Sequence, residues 1–342
     1  MRERKVRNTN IEVLRFILMA FILLWHIIVH GYNLKEIGTA DFVYKGNMPL
    51  SLFLSSLTLP ATYCFVFISG YFGIQFRLKQ FFSLLLWCVI VSVGITFAKV
   101  YLSGIDVGGG ILMQSFFPIA SGKWWFMTAY IQLFLLTPFL NYGMEQLERK
   151  AKIWIMVLMY CALVSQMIIG FANAGSSLMG VVFMYLLGRY FKEYGIWSPL
   201  KTGIMYGVSF SSLFLIMLLM YYISNKLECI DLQKNIFVFM GFANPLIVVM
   251  AICLFFFVLH LRARYYSAVN KILSANIFLY LITEGTGGGR IIYTMLVKAI
   301  EQNIWLGICS FCAVMLGCLL VGFIIQQATR LLLDKCVYIA NR

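Results

Sequence analysis

The chain has 342 residues, of which 62% are hydrophobic and only 12% are charged. Soluble domains are about a quarter charged, so this composition excludes a water-exposed exterior and favours a membrane protein. The net charge of +14 is spread over many short segments, which argues against a nucleic-acid partner. We expect a single transmembrane domain over residues 1–342.

Apolar stretches of membrane-spanning length recur along the chain. About 20 residues cross about 30 Å of hydrocarbon, and in lipid the backbone must pair within its own segment, so these stretches are predicted to be helices. Pro138 and Pro245 are predicted to kink two of them. The sequence predicts an all-α integral membrane protein with about ten transmembrane helices, at residues 11–31, 50–74, 80–102, 124–142, 153–171, 176–192, 202–223, 236–260, 272–284 and 304–329.

The distribution of lysine and arginine predicts the orientation in the membrane. With the N-terminus inside, the inside segments hold most of the 27 lysine and arginine residues. Cytoplasmic loops carry such an excess, so both termini are predicted to be cytoplasmic. Residues 32–49, 103–123 and 285–303 are then the longest outside loops, and loops of that length often carry function.

The first predicted span contains Glu12, Arg15, His26 and His30, and so holds two of the three histidines of the chain. At about 100° per residue, these four side chains fall within an arc of about 60° on a helix. Ionisable side chains inside a span are costly and are functional candidates by default. We therefore expect one polar stripe of this helix to face the interior of the bundle.

The depth of these side chains in the membrane suggests different roles. Arg15 lies near the predicted cytoplasmic end, about 16 Å from His26 along the axis. Its forked guanidinium suits a phosphate-bearing ligand, and Glu12 is placed to pair with it. Imidazole exchanges protons near neutral pH, so His26 suits proton abstraction from a hydroxyl. In alternative interpretations, Arg15 reaches the lipid headgroups and His30 is an ordinary interfacial residue.

Four motifs follow one another along the chain. Residues 11–15 read Ile-Glu-Val-Leu-Arg, and His26 follows after ten residues. Residues 65–72 contain Phe-Ile-Ser-Gly-Tyr, residues 123–140 begin with Lys-Trp-Trp-Phe and end with Leu-Thr-Pro-Phe-Leu, and residues 276–282 end with Tyr-Leu-Ile. In this order, over nearly the whole chain, the motifs resemble those of the membrane-bound acyltransferase-3 family.

The resemblance implies a multi-pass enzyme of the bacterial cytoplasmic membrane. It would transfer an acyl group, usually acetyl, from acyl-coenzyme A as co-substrate to a hydroxyl of a cell-surface or exported glycan. Arg15 would bind the phosphates of coenzyme A, and His26 would take the proton of the acceptor hydroxyl. Ser69, Tyr71 or Trp124 would donate a hydrogen bond to the oxyanion. No metal is expected.

The chain departs from the family pattern at two positions. Glu12 stands where aspartate is usual, and Thr283 stands where the family often has histidine, with Glu284 next to it. The protein therefore either works without that histidine or uses Glu284 in its place. Two oxyanion candidates also have structural interpretations, since Ser69 suits close helix packing and Trp124 suits an aromatic belt.

Two other classes of function fit the same features. A polytopic transporter or glycan flippase would also have many spans and aligned intramembrane charges. Transporters often contain two matching halves with broken helices, and the sequence shows no such repeat. A scaffold or sensor without catalytic activity would tolerate apolar substitution of Arg15 and His26.

Overall fold

The computed structural model of the chain describes residues 8–39, 44, 46–103, 108–170, 174–195, 197–284 and 288–340. These residues form helices joined by short connections, and none of them lies in a strand, which confirms the all-α class. A π-helical turn (Ile27–Gly31) follows the first helix, and a 3₁₀ turn (Leu34–Glu36) follows that. In chain order the α-helices are α1 (Thr9–His26), α2 (Met48–Thr58), α3 (Ala61–Phe72), α4 (Leu78–Ser103), α5 (Gly109–Phe116), α6 (Trp125–Gln146), α7 (Arg149–Ile168), α8 (Leu178–Tyr194), α9 (Pro199–Lys226), α10 (Ile230–Phe239), α11 (Pro245–Leu259), α12 (Ser267–Leu273), α13 (Ile277–Thr283), α14 (Gly288–Gln302) and α15 (Ile304–Ala340).

The described helices include six stretches that are long and apolar enough to cross a membrane. They identify the chain as a membrane protein, while the count of ten and the sides of the termini stay predictions. The remaining predicted spans are also helical, as α6, α8, the pair α10 and α11, and the pair α12 and α13. The six stretches are Thr9–Gly31, Met48–Phe72, Leu78–Tyr101, Arg149–Ile168, Pro199–Lys226 and Ile304–Lys335.

The span predicted at 236–260 is broken rather than kinked. Helix α10 ends at Phe239, and α11 begins at Pro245 after a short turn. The side chain of Asn244 caps α11 by accepting a hydrogen bond of 3.0 Å from the Leu246 N–H. The prediction of a kinked continuous helix is therefore wrong, because proline, with no N–H and a fixed φ, suits the first turn of a new helix.

The segment 285–303, predicted as a loop, contains helix α14. Its residues 288–302 are helical, with apolar positions such as Tyr293 and Leu296 buried against the bundle. The helix is amphipathic, so its mean hydropathy is too low to mark it as a span. The loop prediction is wrong for those residues, and the correction matters because α14 lies beside the candidate site.

Helix α1 lies at the centre of the fold, in contact with α2, α3, α11, α12 and α13. In the stretch Met48–Phe72, 83% of the most apolar window is buried in protein, against 22% in Leu78–Tyr101 and 17% in Pro199–Lys226. The latter two helices expose large apolar side chains such as Phe97 and Leu219. Since their exposed faces are apolar, they form the surface towards lipid, whereas Glu12 and His26 of α1 are buried in the bundle.

Helices α3 and α8 approach each other at backbone distance. A Cβ atom on Gly70 would lie 2.2 Å from the carbonyl oxygen of Tyr185, and one on Gly188 would lie 2.5 Å from that of Phe67. Small residues allow this approach between membrane helices. The Ser-Gly motif of α3 therefore has a packing role through its glycine, which holds α3 against α8.

Candidate active site

Glu12 and Arg15 form an ion pair on the first turns of α1. The guanidinium Nη1 lies 3.1 Å from Oε1 of Glu12, and the guanidinium carbon lies 5.8 Å from the ring centroid of Phe65. The Glu12 side chain is 6% exposed and that of Arg15 is 24% exposed, so both are enclosed by protein. The Nε atom of Arg15 is buried and has no hydrogen-bond partner in the described structure. A ligand with an oxygen acceptor would satisfy it.

Arg15 lines a cavity of about 330 Å³, called here the Arg15 cavity. Ser69 lines the same cavity, where its hydroxyl oxygen lies 3.1 Å from the carbonyl oxygen of Phe65 and 3.2 Å from the hydroxyl of Tyr130. The structure therefore places Ser69 with Arg15 and not with His26. Asn276 also lines this cavity, and its side-chain nitrogen is buried without a partner.

The α-helical hydrogen bonding of α1 ends at His26. The next five residues form a π-helical turn, closed by a 2.9 Å hydrogen bond from the Tyr32 N–H to the carbonyl of Ile27. The helical span predicted to end at residue 31 does end there, but its last five residues are π-helical rather than α-helical. Gly31 brings α14 close, since a Cβ there would lie 2.8 Å from a methyl carbon of Val297. Turns of this kind occur frequently at functional sites.

His26 is bonded to Glu284. Its Nε2 atom lies 2.9 Å from Oε2 of Glu284, and the two side chains are 10% and 17% exposed. An ionised Glu284 accepts a hydrogen bond from Nε2–H, which assigns the free lone pair of a neutral imidazole to Nδ1. That Nδ1 atom is buried and has no partner among the described residues. The pair therefore has the arrangement of an oriented general base.

His30 and Tyr293 complete the surroundings of this pair. The rings of His26 and His30 lie 5.7 Å apart, and His30 stacks on Tyr293 at 5.9 Å. The Tyr293 hydroxyl lies 2.5 Å from the carbonyl oxygen of Thr283 and 3.2 Å from Oε2 of Glu284. Sequence reasoning treated His30 as an interfacial alternative and missed Tyr293. The shared arc on α1 was a signal for His30, while Tyr293 lay in a predicted loop.

A second cavity, of about 410 Å³, opens at His26 and is called the His26 cavity. Its walls are mostly apolar, with aromatic side chains as the largest group and with Lys35, His30 and Glu284 as charged or titratable groups beside His26. The Tyr280 hydroxyl at this cavity is buried against the Phe126 backbone, and no described residue accepts a hydrogen bond from it. Aromatic walls with a few polar groups are typical of ligand sites. The aromatic lining residues are Trp25, Trp125, Phe126, Phe237, Phe242 and Tyr280.

An aromatic partition separates the two cavities. Phe65 lines the Arg15 cavity, while Phe126 and Tyr280 line the His26 cavity. The Phe126 ring is edge-to-face with the other two, at centroid distances of 6.1 Å to Phe65 and 5.5 Å to Tyr280. The described linings of the two cavities have no residue in common. A group that passes directly from the Arg15 cavity to the His26 cavity would meet these rings.

Trp124 and Tyr71, the other oxyanion candidates, line neither cavity. Trp124 is fully buried, its indole N–H has no described partner, and the Lys123 ammonium lies 5.4 Å from its ring. The Tyr71 ring packs on Phe255 at 4.7 Å. The structure therefore brings Glu284 to His26, but neither Ser69, Tyr71 nor Trp124.

His26, His30 and Glu284 are also the one group in the described part of the chain that could hold a metal ion. One ligand atom from each lies within 4.8 Å of the others. Two histidines and a glutamate are a ligand set that catalytic zinc sites use. The same atoms can therefore act either as a base with its orienting carboxylate or as metal ligands.

Comparison with known families identifies the chain. A family model described as an acyltransferase domain, that of the acyltransferase-3 family, matches residues 8–326. Comparison with curated proteins and with solved structures gives no match. The matched range covers both cavities and the His26–Glu284 pair, and it extends over nearly the whole chain. The chain therefore belongs to the acyltransferase-3 family.

Proposed function

We propose that the protein transfers an acyl group, acetyl in the first instance, from acyl-coenzyme A to a hydroxyl of a cell-surface or exported glycan. Membership of the acyltransferase-3 family supports acyl transfer in general. The observation that carries the assignment of the site is the 2.9 Å contact between His26 and Glu284, which leaves the buried Nδ1 unpartnered.

His26 is the general base of this reaction. Nδ1 takes the proton of the acceptor hydroxyl while its oxygen attacks the thioester carbonyl, and the intermediate then expels the thiolate of coenzyme A. The imidazolium returns the proton to that thiolate, which leaves as the thiol. Glu284 holds the imidazole in the tautomer with a free Nδ1 and stabilises its positive charge, as the carboxylate does in a serine-hydrolase triad.

Tyr280 is the best-placed donor for the oxyanion of the intermediate. Its hydroxyl is buried against the Phe126 backbone, and the residue lines the cavity at His26. No described residue accepts a hydrogen bond from this hydroxyl, so its O–H can donate to the developing charge. Ser69 and Trp124 lie away from His26 and would need a rearrangement to act there.

The donor binds from the Arg15 end of α1, which the charge distribution predicts to be cytoplasmic. Arg15 binds phosphate oxygens of coenzyme A, and its pairing with Glu12 fixes the guanidinium. The thioester arm then spans the distance of about 16 Å to His26. The rings of Phe65, Phe126 and Tyr280 move aside for this arm and otherwise separate the cytoplasmic cavity from the outer one.

The acceptor binds in the His26 cavity, towards the outer face of the membrane. A glycan fits its lining, since sugar rings present C–H faces to aromatic side chains and hydroxyls to polar groups. Trp25, Trp125 and Phe242 provide such faces, and Lys35 adds a cation at the rim. This lining supports the glycan class without distinguishing one glycan from another.

The test compares surface glycans from strains that carry the wild type, no protein, or a histidine variant. His26→Ala should remove the acyl mass from the glycan while the protein stays in the membrane. His260→Ala is the matched control, because His260 lines neither cavity and bonds the carbonyl of Phe256 instead. Normal acylation in His26→Ala would overturn the base assignment. Glycan export without consumption of an acyl donor would instead favour the alternative function of a transporter or flippase.

A further inference from the structure

A strongly basic pocket of about 400 Å³ opens beside the Arg15 cavity. Four cations line it: Arg77 before α4, Lys79 on α4, Lys271 on α12 and Arg330 on α15. No acidic side chain is among its described lining residues. Cations from three helices and a connecting segment thus converge on one concave surface, which suits a multiply charged anion.

The basic pocket continues into the Arg15 cavity. Five residues line both, and they form the passage between the cations at the rim and the guanidinium deeper inside. These residues are Gln80, Ser83, Trp87, Ser274 and Gln326. The deeper part also holds two buried nitrogen atoms without described partners, Nε of Arg15 and Nδ2 of Asn276. The result is one groove with cations at two depths.

The charge of the pocket is only partly neutralised. Asp334 pairs with Lys79, and its carboxylate also lies 4.0 Å from Arg330. Arg77 and Lys271 form no ion pair among the described residues, although the Lys271 ammonium lies 5.7 Å from the ring of Phe323. At least two cations are therefore left for a ligand.

We propose that the basic pocket binds the 3′-phosphate of the nucleotide in coenzyme A, while Arg15 binds the diphosphate. This assignment rests on the proposed function, because it takes acyl-coenzyme A as the donor. The molecule carries phosphates at two places: a diphosphate next to the pantetheine arm and a monoester on the ribose at the far end. A groove with cations at two depths matches this order when the arm points towards His26.

The first experiment needs no variant. The full-length protein is reconstituted in nanodiscs of phosphatidylcholine, and its affinities for coenzyme A and 3′-dephospho-coenzyme A are measured by calorimetry. We expect coenzyme A to bind about tenfold more tightly, since a charge-assisted phosphate contact is worth about 1.5 kcal/mol. Equal affinities would overturn the pocket assignment. No binding of either compound would instead overturn the proposed donor, so the two failures are distinguishable.

Variants then assign the effect to the pocket. The double variant Arg77→Gln, Lys271→Gln should abolish the preference for coenzyme A over its dephospho form. It should weaken the binding of coenzyme A and leave the affinity for dephospho-coenzyme A unchanged. Arg290→Gln with Lys298→Gln is the matched control, since these cations lie together in a different surface pocket. Asp334→Asn should strengthen coenzyme A binding severalfold, because it releases Lys79 and Arg330. A preference that persists in the first double variant would contradict the assignment.

The same cations could bind a phosphate of an anionic lipid. In nanodiscs that contain phosphatidylglycerol, the preference for coenzyme A over its dephospho form should persist in the wild type. The lipid source would be favoured, and the nucleotide assignment overturned, if phosphatidylglycerol abolished the preference. The same conclusion would follow if native mass spectrometry showed tightly held phosphatidylglycerol that the Arg77 and Lys271 variant loses.

Discussion

Replacement of Glu284 by glutamine removes the negative charge beside His26 while it keeps the size of the side chain. Two unit charges 2.9 Å apart interact by about 6 kcal/mol at an effective dielectric constant of about 20. Solvent weakens this interaction, since Glu284 is 17% exposed, and the amide retains a neutral hydrogen bond. We therefore expect the transition state to lose about 3–4 kcal/mol, which is about 10²–10³ in kcat.

The assay follows radiolabelled acetyl from acetyl-coenzyme A into the glycan fraction of membranes that contain each variant. The loss should appear in kcat, with KM for acetyl-coenzyme A little changed, because Glu284 acts on the imidazolium and not on donor binding. Glu301→Gln is the matched control, an exposed carboxylate on α14 that lines neither cavity. Its activity should equal that of the wild type.

Two outcomes would refute this reasoning. A Glu284→Gln enzyme with nearly normal kcat would show that His26 needs no carboxylate to act. A loss of activity accompanied by a large fall in melting temperature would show that the contact serves folding. The melting temperature of each variant is therefore also measured in detergent. We expect a large fall in kcat with a shift of only a few degrees in Tm.

Three further outcomes follow from the same geometry. Arg15→Lys should raise KM for acetyl-coenzyme A about tenfold with a smaller change in kcat, because an ammonium lacks the bidentate fork; unchanged KM in a donor titration would contradict phosphate binding. Gly70→Ala should lower the free energy of unfolding by about 1–3 kcal/mol, because the added Cβ meets the Tyr185 backbone. Gly94→Ala, with open space around it, should leave stability unchanged. Equal melting temperatures of the two variants would contradict the close packing of α3 on α8. Treatment with a metal chelator should leave acyl transfer intact, because the base needs no ion; a loss that zinc restores would instead favour the metal-ligand role of the same side chains.

The polar face of α1 could be predicted from the sequence because the residues that mark it lie close together in the chain. Glu12, Arg15 and His26 recur on one face at helical spacing, and burying such groups has a high cost unless they face the bundle interior. The position of Glu284 beside a family motif marked it as a candidate. Its contact with His26, however, joins residues far apart in the chain, and no periodicity in α1 or α13 specifies that contact.

The rest of the site depends on tertiary structure. The π-helical turn after His26 changes the register of His30, and no residue in Ile27–Gly31 marks it in advance. Tyr293 lies on an amphipathic helix whose apolar periodicity is present in the sequence. Only its packing against the turn at Gly31 shows that this face meets the site. Ser69 lies in the motif next to the glycine that packs α3 on α8, so the motif identified the family while the fold placed its serine in the other cavity.

A sided acyl-transfer measurement is the sharpest test of transfer across the bilayer by His26. Proteoliposomes with the protein in one orientation receive radiolabelled acetyl-coenzyme A on one face only, with the glycan acceptor on the opposite face. We expect transfer when the donor faces the Arg15 end and the acceptor faces the His26 end, and no transfer with His26→Ala. Transfer with the donor supplied only at the His26 end, or equal transfer by His26→Ala, would contradict this expectation.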